Sequence, residues 1–86
     1  MMYRSRTEIA ATILDAANGG TTKTKIMYNA YLSYNQLKEY ISILIENNLL
    51  DYIEGARTFR TTKKGLNFLK MYREMTELLQ QSKMIS

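Results

Sequence analysis

Apolar and polar positions recur with a helical period over three early stretches of the chain, and capping or breaking residues bracket each stretch. Ser5 followed three positions later by Glu8 has the spacing of a capping box, in which two side chains satisfy free N–H groups of a first helical turn. The helix it opens, over residues 7–17, carries Ile9, Ile13, Ala16 and Ala17 on one face, widened by Ala10 and Leu14. Gly19-Gly20 ends it, because glycine accepts the left-handed conformation past a helix terminus. Thr21 or Thr22 caps a second, shorter helix whose inner face holds Ile26, Met27 and Ala30. Ser33 and Gln36 repeat the capping-box spacing, and Leu32 can pack on Leu37 as a hydrophobic staple. From there Leu37, Tyr40, Ile41, Leu44 and Ile45 recur at i, i+3, i+4, i+7 and i+8, the mark of an amphipathic helix. Asn35, Lys38, Glu39, Ser42 and Glu46 line its opposite face, and Asn47-Asn48 stops it.

The period then shortens. Residues 49–54 alternate in part, with Leu50, Tyr52 and Glu54 on one side and Leu49, Asp51 and Ile53 on the other. Gly55-Ala56 turns the chain, and residues 57–61 run back with β-branched and aromatic side chains, which predicts a short β-hairpin with a loose loop. Thr62 caps a last helix over about residues 63–83. At ~1.5 Å per residue it spans roughly 30 Å, long for so small a domain. It carries two stripes: Leu66, Leu69 and Tyr72 can cover the domain, while Phe68, Met71, Met75, Leu78, Ser82 and Ile85 follow heptad spacing. One domain cannot bury both, so the distal stripe calls for another helix, most simply from a second copy of the chain.

Length points the same way. Eighty-six residues make one domain, and a chain of this size buries only ~60–65% of the surface its unfolded form exposes. The chain contains neither Cys nor His, which excludes disulfides and a Cys/His zinc site and leaves self-association as a source of stability. The same two absences exclude a Ser-His-Asp triad and a Cys nucleophile. With no phosphate-binding glycine loop and only scattered carboxylates, we expect neither an enzyme nor a cofactor or metal. A composition of 45% hydrophobic and 23% charged residues is that of a globular protein. No apolar run is long enough to span a membrane, and residues 1–6 lack the apolar stretch of a signal peptide. We therefore expect a soluble, cytoplasmic protein.

The formal charge of +4 admits an anionic partner, and its placement matters more than its size. A short helix, a tight connection and a longer amphipathic helix describe a helix-turn-helix, and a hairpin straight after it describes a wing. The expected fold is mainly α with a small β-hairpin: a winged helix-turn-helix over residues 1–64 and a C-terminal coiled-coil dimerisation helix over 65–86. Residues 1–64 hold nine Lys/Arg against six Asp/Glu, and residues 57–64 hold four positive charges and no acid. Double-stranded DNA is the partner this predicts, with the protein nucleoid-associated. Expected backbone contacts are Arg4, Arg6, Lys23, Lys25, Ser33, Arg57, Arg60, Lys63 and Lys64, with Lys23 and Lys25 at a helix N-terminus that also favours phosphate. Expected base contacts are Tyr34, Asn35, Lys38, Glu39 and Ser42, of which Asn35 can pair with adenine and Lys38 can donate to guanine. Gln36 is taken up by its own capping box.

Other readings stay open at this level. Tyr28, Tyr31, Tyr34, Tyr40 and Tyr52 could stack on single-stranded bases, but core or core-edge positions with wet hydroxyls are the expectation. The methionines of the last helix read as a packed interface rather than a peptide groove. Residues 57–64 also fit a solvated strand edge, and a winged helix can serve as a protein-docking module without DNA.

Ile26-Met27-Tyr28, Ala30, Leu32-Ser33-Tyr34, Tyr40-Ile41 and Leu44, followed by Thr62-Lys63-Lys64-Gly65, resemble the small archaeal winged-helix DNA-binding proteins, about ten kilodaltons each, the mass of this chain. The likeness runs over residues 7–79. That group is described as chromatin-associated proteins or predicted transcriptional regulators. The resemblance implies a homodimer joined by an antiparallel two-helix coiled coil with a winged domain at each end. It assigns the interface to Phe68, Met71, Tyr72, Met75, Leu78, Leu79, Ser82 and Ile85. Two departures matter. The position before Thr62, usually apolar, is Thr61, which implies looser packing of the wing's return strand, and the chain ends soon after Ser82, which implies a shorter coiled coil.

Overall fold

Six elements follow in chain order: α1 (Arg6–Ala16), α2 (Lys23–Ala30), α3 (Tyr34–Glu46), β1 (Leu50–Ile53), β2 (Thr58–Thr61) and α4 (Lys63–Ile85). The computed structural model describes residues 4–85, with side chains for 4–80. The predicted order and type of every element hold.

Local chemistry sets the helix ends. At α3 the capping box is complete: Gln36 N–H donates to Ser33 Oγ at 3.2 Å, and Ser33 N–H donates to Gln36 Oε1 at 3.0 Å. At α1 only the first half is made, Glu8 N–H to Ser5 Oγ at 3.0 Å. Thr22, rather than Thr21, caps α2 through the Lys25 N–H. Gly19 and Gly20, at φ 90° and 104°, carry the chain out of α1. Tyr31 closes α2 in the left-handed conformation (φ 54°), with Leu32 N–H bonded to Met27 C=O at 3.2 Å. A Cβ is disfavoured there and this ring packs on little, so Tyr31→Gly is expected to raise stability by about 0.5–1 kcal/mol in urea unfolding.

The core lies where α1, α2 and α3 meet the hairpin. Ile13, Leu14, Ile26, Leu37 and Leu50 are its fully buried side chains, and Leu69 of α4 closes one side. β1 and β2 pair antiparallel with Leu50 opposite Thr61, Asp51 opposite Arg60 and Tyr52 opposite Phe59, across a four-residue loop. Phe59 also exchanges two backbone hydrogen bonds with Thr21, at 2.9 and 2.7 Å, a one-residue rung that sets Thr21 beside β2 as a third strand.

Thr61 overturns the expectation of a loose return strand. It is buried, its hydroxyl donates to the Leu14 carbonyl, and its N–H donates to the Ala17 carbonyl at 3.0 Å. The hydroxyl thus takes up a carbonyl at the end of α1 that an apolar residue would leave unpaired. Thr61→Val is expected to cost about 1–2 kcal/mol, read as a lower urea midpoint at unchanged slope.

Three more expectations are corrected. Of the five tyrosines expected at core or core-edge positions, only Tyr40 is buried; Tyr28, Tyr31, Tyr34 and Tyr52 are exposed. Ile45, expected inside α3, lies at the exposed margin of its apolar stripe. On α4, Leu66 faces solvent, while Phe68 and Tyr72 pack half-buried beside Leu69. The Arg73 guanidinium pairs with Asp15 of α1 at 2.7 Å. Beyond Thr76 the described side chains of α4 are exposed.

Candidate nucleic-acid interface

The helix-turn-helix is built on three connecting residues, Tyr31, Leu32 and Ser33. Leu32 and Leu37, on either side of the Ser33 cap, are both buried, and the first turns of α2 and α3 lie close together. Lys23 of α2 and Lys38 of α3 each hold Nζ 5.5 Å from the centre of the Tyr34 ring. Two ammonium groups from two helices thus approach one half-exposed aromatic ring, a cation–π arrangement worth about 0.5–1 kcal/mol per contact at an exposed site.

The Thr21–Phe59 rung holds the start of α2 against β2. The outcome is a groove of about 200 Å³ lined by Lys23, Leu37, Lys38, Ile41, Ser42 and Phe59. Its floor is apolar, its rim carries two ammonium groups and a hydroxyl, and none of the six lining residues is acidic. Asn35, Lys38, Glu39 and Ser42 are exposed along the outward side of α3, as the pattern predicts. Glu39 is the one acid among these expected base contacts. Ser33 is exposed, but its hydroxyl already accepts from Gln36 N–H.

None of the remaining expected contacts lines this groove. Lys25 is exposed on α2. Arg57 is exposed in the hairpin loop with φ 54°, and Arg60 is exposed on β2 with Asp51 as its cross-strand neighbour. Lys63 and Lys64 are exposed in the first turn of α4. The two N-terminal arginines stand apart from the groove. Arg6 lies over the Tyr40 ring at 5.4 Å, in a hollow shared with Ile43 and Phe68 on the other flank of α3. Arg4 donates to the Tyr31 carbonyl at 3.3 Å.

Sequence reasoning missed Thr21, Leu37, Ile41 and Phe59 as builders of this surface. Leu37 and Ile41 are legible only as core residues, and a one-residue rung leaves no periodic signal. On α4, Met71, Met75, Leu78 and Leu79 are exposed, whereas Phe68 and Tyr72 divide their surface between solvent and their own core. Ser82 and Ile85, expected to extend that stripe, lie outside the described side chains. No helix among the described residues is long and apolar enough to cross a membrane, and no group of three Asp or Glu among them could hold a metal ion.

A short helix, a three-residue turn, a longer helix with an exposed polar edge and a following hairpin define a helix-turn-helix with a wing. The family model for winged helix-turn-helix proteins matches residues 3–80, and the chain belongs to that family. Among solved structures it is similar to Sso10a-2, described as a DNA-binding protein from Sulfolobus solfataricus. The two share 19% identity with a TM-score of 0.84, over 95% of this chain and 88% of that one. No curated protein matches the chain.

Proposed function

We propose that the chain binds double-stranded DNA as a homodimer, with α3 in the major groove and the wing against the backbone. The observation that carries this reading is the acid-free groove beside α3, rimmed by Lys23 and Lys38 and sharing a wall with the hairpin. Phosphate attraction supplies most non-specific affinity, and an exposed edge of Asn35, Lys38, Glu39 and Ser42 offers the donors and acceptors that base edges require. The fold of a DNA-binding protein in Sso10a-2 supports the same reading. Residues 1–64 form the DNA-binding part and residues 65–86 the dimerisation helix, through the exposed Met71, Met75, Leu78 and Leu79. The protein would then act at the nucleoid in the cytoplasm, as a transcriptional regulator or a chromatin protein. Selection from a randomised duplex pool separates these roles: an enriched motif marks a regulator, and a flat pool marks an architectural protein.

The test is fluorescence anisotropy with random duplex over a range of salt. Lys23→Ala with Lys38→Ala is expected to weaken binding most. Arg57→Ala with Arg60→Ala is expected to weaken all sequences alike and to lower the log–log salt slope by about 2, close to one per lost phosphate contact. Unchanged affinity in both double variants at low salt overturns the reading and leaves a protein-docking module in its place.

A further inference from the structure

Away from the Lys23–Lys38 groove, a second surface carries aromatic rings that the core does not use. Tyr28 and Tyr31 are 71% and 84% exposed, the highest values among the large hydrophobic and aromatic side chains described. They stand three residues apart, with Tyr28 on the side of α2 opposite the buried Ile26 and Ala30. Lys25 lies one helical turn before Tyr28. Tyr31 occupies a left-handed position (φ 54°) that ordinarily falls to glycine or asparagine, so backbone geometry does not call for tyrosine there. An exposed ring in an unfavourable backbone state contributes little to folding and points to a use outside it.

Beside Tyr31 a hollow opens between α1 and α2, lined by Arg4, Glu8, Thr12, Asn29 and Tyr31. Its rim offers guanidinium and amide donors together with carboxylate, amide and hydroxyl acceptors. The hydrogen bond from Arg4 to the Tyr31 carbonyl, at 3.3 Å, holds the guanidinium at the edge of this hollow.

We propose that Tyr28 and Tyr31 form a stacking platform for unpaired bases of a single-stranded nucleic acid, with the hollow of Arg4, Glu8 and Asn29 receiving a base edge. Exposed rings accept the face of any base, and Arg4 and Lys25 supply the positive charge a phosphate backbone needs. Bases in a duplex are already stacked and cannot present their faces to these rings. A protein partner fits less well, because among the described residues the hollow beside Tyr31 is lined by Arg4, Glu8, Thr12 and Asn29 and Lys25 lies one turn before Tyr28, whereas interface cores are depleted of charge. This site is independent of the duplex groove.

The chain contains no Trp, so its fluorescence comes from its seven tyrosines, and a base stacked on Tyr28 or Tyr31 quenches part of it. The whole chain is titrated with oligo-dT and oligo-rU at low salt. Saturable quenching is expected, with affinity reduced about tenfold by Tyr28→Ala or Tyr31→Ala and retained by Tyr31→Phe. Tyr31→Gly weakens binding while its melting temperature rises, which separates loss of the ring from loss of the fold. All four variants keep wild-type duplex affinity, and Lys23→Ala with Lys38→Ala keeps single-strand affinity. Whether dT or rU binds more tightly identifies the strand, and either result supports the site. Absent saturable binding to both oligomers, or equal affinity in wild type and tyrosine variants, overturns it.

Discussion

Leu78→Glu is expected to give a folded monomer that binds duplex about 10²–10⁴-fold more weakly than the wild type, the factor a second tethered site confers. Leu78 is 63% exposed on α4, beyond the last residues that touch the domain core, so the substitution removes no packing from the fold. In a paired helix the new carboxylate would be carried from water into an apolar seam. Monomer formation is read by sedimentation equilibrium, retention of the fold by circular dichroism, and affinity by anisotropy on a site long enough for both domains. Met75→Glu is expected to act in the same way from one heptad position earlier. A dimer that persists in both variants at micromolar concentration refutes pairing through this stripe.

Gly65→Ala is expected to destabilise the protein by about 2–3 kcal/mol, although alanine is the better helix former by ~1 kcal/mol. A Cβ at this position would fall inside van der Waals contact with the Leu49 carbonyl oxygen and within 2.6 Å of Thr61 Cγ2. Neither neighbour has room to give. The Leu49 carbonyl accepts the Thr62 N–H at 3.1 Å, and Thr61 is held by its bonds to α1. Thr62 completes the junction: its hydroxyl accepts from Gly65 N–H at 3.0 Å and donates to the Asn48 carbonyl at 2.7 Å. The Thr-x-x-Gly spacing therefore clamps the start of α4 against the end of α3 and the first strand. Urea unfolding with an unchanged slope and a lowered midpoint is the expected readout. A stability within 0.5 kcal/mol of wild type would show that the junction can open without cost.

This junction also explains where the sequence pattern misled. Gly65 is the point of closest approach, so the inward face of α4 must follow it at +3, +4 and +7, which are Phe68, Leu69 and Tyr72. Choosing stripes by hydrophobicity alone put Leu66 inside and Phe68 out. The capping signals, by contrast, are local, and the helices they mark begin within one residue of the predicted positions, although only the box at α3 is complete. Tyrosines misled for a different reason. A ring with a hydroxyl suits both a core edge and open solvent, and period alone cannot tell the two apart. The exposed polar edge of α3 was readable as the complement of its apolar stripe. The groove beside it was not, because it depends on the Thr21–Phe59 rung, a contact across 38 residues with no repeating signature.

That rung has a mechanical consequence. Because Thr21 and Phe59 hold one another by two N–H···O bonds, the arm and the base of the second helix cannot be displaced separately, and a load on one is passed to Lys23 two residues away. In the proposed reading, the hairpin and the Lys23–Lys38 groove therefore meet DNA as one unit. Part of the fitting would then fall to the DNA, and sites that deform easily would be held more tightly than rigid ones.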